Sequence, residues 1–567
     1  MATLLDRPAT APQPGATGQA AGVASRARGV GLFVALTALY FAAGYLLVMR
    51  YNLFEGDFAS RVANAGYVIM SRDRHLSAIG FVWNPLPSLV EIPILLFTPI
   101  WPDLRTHGLA GVLQSAVFMA GSVMVVRGIA VDRGVSTGWR RIALVGFAFQ
   151  PMIILYGGAG MSEAAETACL LWCARHLMRW ADQRRTQALA WAGIALGAGY
   201  LARYEVVPAA VGICAFVAVL SARLAADKSR FTAAAANVVI VMFPIATAAG
   251  IWALSSWVIN HELFAAFSSQ YSNKRQVADA IARHGMVRDS PTAWVVISAR
   301  LLGMQPFAGI AAAAAVAYGL IARKPVTLAP VVVFGPVIVF AAWGQYTATT
   351  FGLFRYFILA IPLVTCIALA VWAPAETSTG SGSLQTRANR YAAALLCASI
   401  VVGFPVTVRA MLNRGIANFP LQAGFASLLD PRGYPPQEIP ERQMMVADRV
   451  MAAYLDLLQL PDGAVLMDSA YAWGPWLSSA HPTQFVVNSD YDFKAALNRP
   501  WVHQVKYFLV SNPANTDADA INVRYPTLWN DGAGFSRLVY TVYGPTGGEY
   551  FRLFEITGPQ RPERGTG

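Results

Sequence analysis

Two carboxylates separated by a single residue follow the first apolar segment of the chain. They are Glu55 and Asp57, within the stretch YNLFEGDF that begins at Tyr51. A carboxylate at the end of an apolar segment can accept a proton from an attacking hydroxyl or bind a cation. The simpler interpretation of Asp57 is a cap for a helix that starts at Phe58. The residues alone leave both interpretations open.

Charged residues interrupt the apolar segments again at two later points. Glu163 follows a glycine-rich turn and begins another apolar segment, with Glu166 one helical turn further on. Arg203 and Glu205 join two apolar segments with almost no loop between them. Glu163 could serve as a favourable charge at a helix N-terminus, and Arg203 and Glu205 could neutralise each other. Acids inside apolar helices are nevertheless costly unless they face protein or water, which favours a site.

Basic residues that suit a phosphate occur at two more places. Arg355 stands among aromatic residues directly before Tyr356, and Lys274 and Arg275 lie within a long polar loop. The planar guanidinium matches the geometry of a phosphate. The alternative for Arg355 is a side chain that snorkels to lipid headgroups.

The composition indicates the kind of scaffold that must position these residues. Hydrophobic residues make up 56% of the 567-residue chain and charged residues 13%, against about 25% charged in ordinary soluble domains. The sequence therefore predicts a polytopic α-helical membrane protein with about eleven transmembrane helices. The predicted spans are 30–49, 109–131, 142–157, 163–180, 187–202, 205–222, 231–258, 296–321, 326–346, 351–373 and 391–411. The net charge of +12 comes largely from loop Lys and Arg, which favours membrane orientation over nucleic-acid binding.

The chain is predicted to have three parts. Residues 1–29 read as a disordered cytoplasmic tail, 30–411 as the transmembrane domain, and 412–567 as an extracytoplasmic α/β domain. The last part has strand-like runs at 464–467, 484–487, 505–510 and 551–556 and an amphipathic helix at 443–460. Residues 81–101 are apolar but contain four prolines and an acid. We expect a juxtamembrane or re-entrant piece there rather than a further span.

The short loops predict the orientation. Loops with clustered Lys and Arg alternate with loops that lack them, which assigns the basic loops and the N-terminus to the cytoplasm. An odd number of spans then places the C-terminus outside. On this topology one set of charged residues falls on the outer side: Asp57, Glu163, Arg203, Glu205, Lys274, Arg275 and Arg355. A layer of acids and bases at one membrane face predicts a site for a phosphate-bearing, partly lipidic substrate.

In these motifs the chain resembles the C-type (GT-C) membrane glycosyltransferases, the group that contains protein O-mannosyltransferases and the lipid A aminoarabinose transferase. The resemblance covers roughly residues 30–375. It is carried by the short motifs Glu55-Gly56-Asp57, Trp83-Asn84-Pro85-Leu86-Pro87, Ser162-Glu163, the stretch 201–205, and Phe354-Arg355-Tyr356.

The resemblance implies an enzyme of the bacterial plasma membrane that moves a sugar from a polyprenyl-phosphate donor to an acceptor hydroxyl on the outer face. The acceptor would be a glycan, a lipid or a protein. Asp57, with Glu55 beside it, would be the catalytic carboxylate. The substrate-binding residues would be Asn84, Glu163, Arg203, Glu205, Lys274, Arg275, Arg355 and Tyr356. A divalent cation is possible but not required, because arginine and lysine can balance the leaving phosphate.

One position departs from the pattern of the family. Many members carry His or Lys ahead of the Pro-Leu pair, whereas this chain has Asn84, which brings no charge. Two alternatives also stay open. The first is a transporter or flippase of lipid-linked or polar solutes, although no internal repeat is visible. The second is a non-catalytic scaffold, which would need neither Asp57 nor Glu163.

Overall fold

The computed structural model describes residues 16–53, 55–269, 271–272, 275–278, 291–372, 382–417, 420–435, 438–439, 442–516, 518–545 and 547–558. Helices form the first three quarters of the described chain, and a small sheet with short helices forms the rest. The helices up to the long polar loop are α1 (Ala16–Tyr45), α2 (Gly56–Met70), α3 (Leu86–Leu95), α4 (Asp103–Thr106), α5 (Leu109–Asp132), α6 (Thr137–Ala148), α7 (Pro151–Gly158), α8 (Ser162–Gln183), α9 (Thr186–Ala202), α10 (Val207–Leu224), α11 (Arg230–Asn260) and α12 (Ala265–Ser268).

The helices after that loop continue the bundle and then accompany the sheet. Those before the sheet are α13 (Pro291–Met304), α14 (Ala308–Ile321), α15 (Ala329–Tyr346), α16 (Ala360–Val371), α17 (Gly382–Val401), α18 (Gly403–Leu412), α19 (Arg414–Ala417) and α20 (Pro420–Leu429). Those of the sheet region are α21 (Val446–Leu457), α22 (Trp473–Ser478), α23 (Phe493–Asn498), α24 (Ala520–Arg524) and α25 (Leu528–Asp531).

Seven helices of the described chain are long and apolar enough to cross a membrane, and up to nine if each of two bent pairs is one span. The predicted count of eleven is therefore not confirmed. The two remaining predicted spans coincide with α8 and α9. Helix α8 carries several charged residues, so it is not apolar enough to be counted as a candidate span. Helix α9 has only 17 residues, so it is too short to be counted.

The first helix begins earlier than expected. Helix α1 starts at Ala16, whereas the sequence predicts a disordered tail up to residue 29. The stretch is rich in alanine, and alanine is the best helix former, so a helix nucleated in the apolar segment extends towards the N-terminus. The rest of the predicted tail lies outside the described residues.

Both bent pairs break at a Gln-Pro dipeptide. Helices α6 and α7 meet at 58° around Gln150-Pro151, and α13 and α14 meet at 79° around Gln305-Pro306. Proline cannot continue the hydrogen-bond ladder of the preceding helix but suits the first turn of a new one. Gln150 caps α7, because its Oε1 accepts hydrogen bonds from the backbone amides of Met152 and Ile153.

Residues 81–101 contain only the ten-residue helix α3, which is about 15 Å long. That length is half of what a membrane crossing needs. The segment therefore folds as a short helix rather than as a further span, as the sequence indicates. It packs against α2 and α5 and brings Asn84, at its start, towards the bundle.

The sheet has five strands in the order β2-β1-β3-β5-β4. They are β1 (Val465–Met467), β2 (Phe485–Val486), β3 (Tyr507–Ser511), β4 (Ser536–Tyr543) and β5 (Glu549–Ile556). Strand β1 is parallel to β2 and β3, and β5 is antiparallel to β3 and β4. The four predicted strands and the predicted amphipathic helix, now α21, are confirmed, whereas the sequence interpretation missed β4.

The sheet region rests on the segment between α1 and α5. The buried guanidinium of Arg105 donates hydrogen bonds to the backbone carbonyls of Trp476, Leu477 and Ser479 at 2.9, 2.8 and 2.6 Å. The Trp476 ring meets the Tyr67 ring edge to face at 4.5 Å. Residues of the bundle and of the sheet thus share one hydrophobic core.

Candidate active site

Helix α2 and the residue before it carry the first group of charged side chains. Glu55 is the N-cap residue of α2 and Asp57 lies in its first turn, where a carboxylate complements the helix dipole. Arg61 follows Asp57 by four residues and therefore lies on the same face of the helix. The beginning of α2 thus presents an acid and a base side by side.

Arg355 holds three carboxylates together. Its side chain is 4% exposed and contacts Glu55 at 2.5 Å, Asp57 at 2.7 Å and Glu163 at 3.2 Å. The contacts to Glu55 and Asp57 are hydrogen bonds from the two terminal guanidinium nitrogens. The planar guanidinium presents five donors in a fixed fork, which allows it to bridge several acids.

Arg203 forms a second group of ion pairs beside the first. It contacts Glu163 at 3.0 Å, Glu166 at 3.3 Å and Glu205 at 2.7 Å, and it donates a hydrogen bond to the Ser162 hydroxyl at 3.1 Å. Oε1 of Glu163 is shared between Arg203 and Arg355, so this buried carboxylate joins the two groups. We call Glu55, Asp57, Glu163, Glu166, Glu205, Arg203 and Arg355 the acid–arginine cluster.

Tyr356 lies between the two arginines of the cluster. Its ring centroid is 5.6 Å from the guanidinium carbon of Arg203 and 5.8 Å from that of Arg355. Arginines at this distance from an aromatic face are attracted to its π-system. The ring therefore helps to hold both guanidinium groups in place.

Arg61 differs from the two clustered arginines. It donates hydrogen bonds to the backbone carbonyl of Asn84 at 3.3 Å and to the Ser162 hydroxyl at 3.5 Å, and it lies over the Trp83 ring at 5.0 Å. Within the described residues it makes no ion pair with a carboxylate, although its residue is 4% exposed. Arg61 thus has no carboxylate in direct contact there, whereas Arg203 and Arg355 each contact three acids.

A cavity opens beside the cluster. Its lining consists of Asp57, Arg61, Trp83, Asn84, Ala202, Arg203, Tyr204, Glu205, Phe351, Arg355 and Tyr356. It measures about 40 Å³, which is room for a few water molecules. A sugar phosphate would therefore occupy the open side of the cavity or require lining side chains to move.

Asp57 is the accessible acid of the Arg355 group. Its side chain is 35% exposed and lines the cavity, whereas those of Glu55 and Glu163 are 1% exposed and do not. Glu205, at 19%, is the other carboxylate of the lining. A proton acceptor must reach the hydroxyl that it deprotonates, which favours Asp57 over Glu55.

Most of the predicted site residues converge, and six of them line the cavity: Asp57, Asn84, Arg203, Glu205, Arg355 and Tyr356. The structure brings Glu55, Asp57, Glu163, Arg203, Glu205, Arg355 and Tyr356 into contact, with Asn84 at the cavity wall. The Asn84 amide donates to the backbone carbonyl of Tyr200, so its side chain fixes α9. Arg275 is exposed and does not line the cavity. Lys274 lies outside the described residues.

The sequence interpretation missed Arg61 as a site residue. Arg61 was not among the candidate site residues predicted from the sequence. The available signal was the spacing of four residues between Asp57 and Arg61, which puts both on one helix face.

The described residues contain no group of three or more His, Cys, Asp or Glu side chains arranged to hold a metal ion. Each acid of the cluster instead contacts an arginine through one of its oxygens. The predicted possibility of a divalent cation therefore stays a prediction.

No protein-family model matches the chain, and no curated protein is significantly similar to it. Among solved structures, the chain is similar to the oligosaccharyltransferase of Archaeoglobus fulgidus in complex with zinc and sulfate, at 13% identity and a TM-score of 0.40, over 91% of this chain and 72% of that one. The archaeal oligosaccharyltransferase AglB of Archaeoglobus fulgidus with an inhibitory peptide and a dolichol-phosphate gives 11% identity and a TM-score of 0.39, over 94% and 75%.

A third structure of the Archaeoglobus fulgidus oligosaccharyltransferase, tethered to an acceptor peptide, gives 12% identity and a TM-score of 0.42, over 91% of this chain and 74% of that one. These neighbours, like the family that the motifs resemble, are glycosyltransferases. Similarity at this level supports no conclusion about the activity of this chain. The activity has to be inferred from the geometry of its own residues.

Proposed function

We propose that the protein is a membrane glycosyltransferase that moves a sugar from a lipid-phosphate-linked donor to an acceptor hydroxyl. One observation carries the proposal: the accessible carboxylate of Asp57 and the guanidinium of Arg61, which has no carboxylate partner among the described residues, line one cavity at the end of a helical bundle. The carboxylate suits a proton acceptor and the guanidinium suits a phosphate.

The proposed reaction is a substitution at the anomeric carbon of the donor sugar. The acceptor oxygen forms a bond to that carbon while the bond from the carbon to the phosphate oxygen breaks. The proton of the acceptor hydroxyl passes to Asp57, and the electron pair of the broken bond stays on the lipid phosphate. Arg61 balances the charge that develops on this leaving group, as preorganised donors do in other transfer reactions.

In this proposal the clustered arginines act mainly as a framework. Arg355 hydrogen-bonds Asp57 at 2.7 Å and so fixes the carboxylate in the cavity. Glu55 and Glu163 offset the positive charge of Arg355. Arg355 should therefore attract a phosphate less strongly than Arg61 does. Arg203 also lines the cavity and adds a second guanidinium near the phosphate position.

We further propose the finer features that the sequence suggests. The donor is a polyprenyl-phosphate sugar, the acceptor is a glycan, lipid or protein, and the cavity faces the outside of a bacterial plasma membrane. We also propose that the N-terminus is cytoplasmic and that residues 412–567 form an extracytoplasmic domain. A bundle of eleven spans would require α8 and α9 to cross, and their 22 and 17 residues correspond to about 33 and 26 Å.

Transfer by purified protein tests the proposal. The protein in nanodiscs would receive radiolabelled polyprenyl-phosphate sugars and a cell-envelope extract as the acceptor. We expect transfer by the wild type and a loss of about 100-fold or more in Asp57→Asn, in line with removal of a general base. Asp103→Asn is the matched control, because Asp103 is similarly exposed, at 33%, but lies outside the cavity. Equal activity in Asp57→Asn would refute the role of Asp57.

One observation favours a transporter as the second candidate. The two bent helix pairs resemble the discontinuous helices that line substrate paths in transporters. The charged cluster, however, lies at one end of the bundle rather than at the break points. Movement of a lipid-linked sugar across proteoliposomes, without any transfer from the donors above, would favour this candidate.

A further inference from the structure

A second cavity lies at the opposite end of α8 from the acid–arginine cluster. From Glu163 to Arg179 the helix advances by sixteen residues, or about 24 Å. The cavity measures about 360 Å³ and lies among the ends of α5, α8 and α9. We call it the distal cavity, and its lining includes His176, Arg179, Gln183, Arg185, Gln187 and Trp191.

Arginines outnumber acids around the distal cavity. Arg175 and Arg179 both hydrogen-bond Asp132, with their Nε atoms each 2.8 Å from Oδ2. Two guanidinium groups thus share one carboxylate. Arg185 makes no ion pair within the described residues. The cavity therefore retains positive charge after its internal ion pairs are formed.

Asp182, about one helical turn after Arg179 in α8, does not reduce this excess of positive charge. Asp182 is paired with Arg133, whose guanidinium also donates to the backbone carbonyls of Ala370 and Trp372 at 3.0 Å each. This ion pair ties α5 and α8 to the end of α16. Asp132, which also lines the cavity, is shared by Arg175 and Arg179, and Arg185 is left facing the cavity with no carboxylate partner among the described residues.

A polar aromatic wall completes the distal cavity. The His176 ring lies 6.3 Å from the rings of both Trp172 and Trp191. Its Nδ1 is buried and has no hydrogen-bond partner among the described residues. His176 lines the cavity, and an imidazole can donate a hydrogen bond from its N–H group.

An exposed apolar strip leads away from the distal cavity along α9. Trp191 is 40% exposed and Ile194 is 43% exposed. They are three residues apart and therefore lie next to each other on one face of the helix. A molecule with its anionic group in the cavity can place an apolar chain on this strip.

We propose that the distal cavity binds the phosphate headgroup of an anionic phospholipid, whose acyl chain lies along Trp191 and Ile194. The charge of the cavity matches the headgroup, and the adjoining apolar strip distinguishes a lipid from a soluble phosphate. Basic cavities between membrane helices bind anionic headgroups in this manner. The site is independent of the proposed sugar transfer, because it lies at the other end of α8.

Native mass spectrometry of the full-length protein tests this proposal. The detergent-purified protein would be titrated with phosphatidylglycerol or with phosphatidylcholine, as wild type and as Arg185→Gln. The matched control is Arg230→Gln, because Arg230 is exposed, at 57%, but lies outside the distal cavity. A second variant, Trp191→Ser, removes the start of the apolar strip.

We expect the wild type to bind phosphatidylglycerol in preference to phosphatidylcholine. Arg185→Gln should weaken phosphatidylglycerol binding roughly fivefold, the effect of one arginine near an anionic lipid. Arg230→Gln should not change it, and Trp191→Ser should weaken the binding of the lipid but not of inorganic phosphate. Equal weakening by Arg185→Gln and Arg230→Gln would overturn the proposal. Competition by millimolar inorganic phosphate, with no effect of Trp191→Ser, would show a soluble phosphate site instead.

Discussion

Replacing Arg355 by methionine should destabilise the protein more than replacing any one of its partners. Arg355 contacts Glu55, Asp57 and Glu163, and the side chains of Glu55 and Glu163 are each 1% exposed. Without the guanidinium, Glu55 loses its hydrogen-bond partner and Glu163 keeps only Arg203. Removing one partner of a buried ion pair costs about 3–5 kcal/mol, because the remaining charge is left uncompensated. We expect a loss of that size for Arg355→Met.

A double-mutant cycle isolates the cause. Glu55→Gln leaves Arg355 with two acids and should cost about 1.5–3 kcal/mol, which is the value of a charge-assisted hydrogen bond. In the double variant, the neutral amide that replaces the Glu55 carboxylate no longer needs a counter-charge. The stability of the double variant should therefore exceed the value expected from the sum of the two losses by about 1–3 kcal/mol, as is usual for contacting charged residues.

The assay is unfolding of the purified protein in mixed detergent micelles, followed by circular dichroism. Arg300→Met is the matched control, because Arg300 is similarly buried but, within the part of the chain that the structure describes, donates only to the backbone carbonyls of Gly352 and Ile416. It leaves no carboxylate behind and should cost about 1–3 kcal/mol. Strictly additive losses in the Glu55–Arg355 cycle, or a wild-type stability for Arg355→Met, would refute the reasoning.

Three further predictions address the cavity, the helix break and the sheet. Arg61→Gln should raise the KM for the lipid-linked donor by about 10- to 100-fold with little change in folding, since one charge-assisted hydrogen bond contributes about 1.5–3 kcal/mol; an unchanged KM in steady-state transfer would contradict it. Gln150→Leu removes the cap of α7 and the hydrogen bond from Gln150 to Thr407 at 3.2 Å, and should lower stability by about 1–3 kcal/mol in thermal unfolding; a variant as stable as the wild type would show that the cap is dispensable. Burial and the neighbouring Asp468 raise the pKa of Asp519 to about 7, so the folded state keeps a proton that the unfolded state releases between about pH 4 and pH 7, and stability should fall across that window by up to about 1.4 kcal/mol per unit. Asp519→Asn should make this slope shallower and still cap α24, which unfolding at a series of pH values would reveal; the raised pKa values of Asp448 and Asp490 maintain part of the slope in both proteins, and an identical slope in both would exclude Asp519 as a contributor.

The long apolar segments and the positions of the prolines were the features from which the fold could be predicted. Each of the eleven predicted segments is helical in the structure, because an apolar run of this length has few alternatives to a helix. The break at Pro151 within the predicted span 142–157 was foreseeable from the rule that proline ends a helix. The number of spans was not, since α8 carries several charged residues and α9 is only 17 residues long.

The sequence predicted most of the residues of the candidate site but not which of them contact each other. Glu55, Asp57 and Arg355 were identified by residue type, yet nothing local links residue 55 to residue 355. Their contact depends on how α2 and α16 are placed by the other helices. Arg61 was not selected from among the arginines that follow the first apolar segment, because its position on the same face of α2 as Asp57 depends on a helix that the sequence left only as one of two open interpretations.

Strand β4 shows a limit of local patterns. Its residues Ser536–Tyr543 are rich in valine and tyrosine, which favour strands. The strand is an edge strand that pairs with β5 alone, and most of it is partly or fully exposed. It therefore lacks the continuous burial of β1, β2 and β3.

The central claim is that a lipid phosphate binds beside Asp57 and Arg61. It is tested most directly by an electron cryomicroscopy map of the protein in nanodiscs with a non-transferable polyprenyl-phosphate sugar analogue. We predict headgroup density in the cavity, with the phosphate within hydrogen-bond distance of the Arg61 guanidinium and the sugar towards the Asp57 carboxylate. Density for the headgroup at another place, such as the distal cavity or the helix breaks, with this cavity empty, would contradict the account.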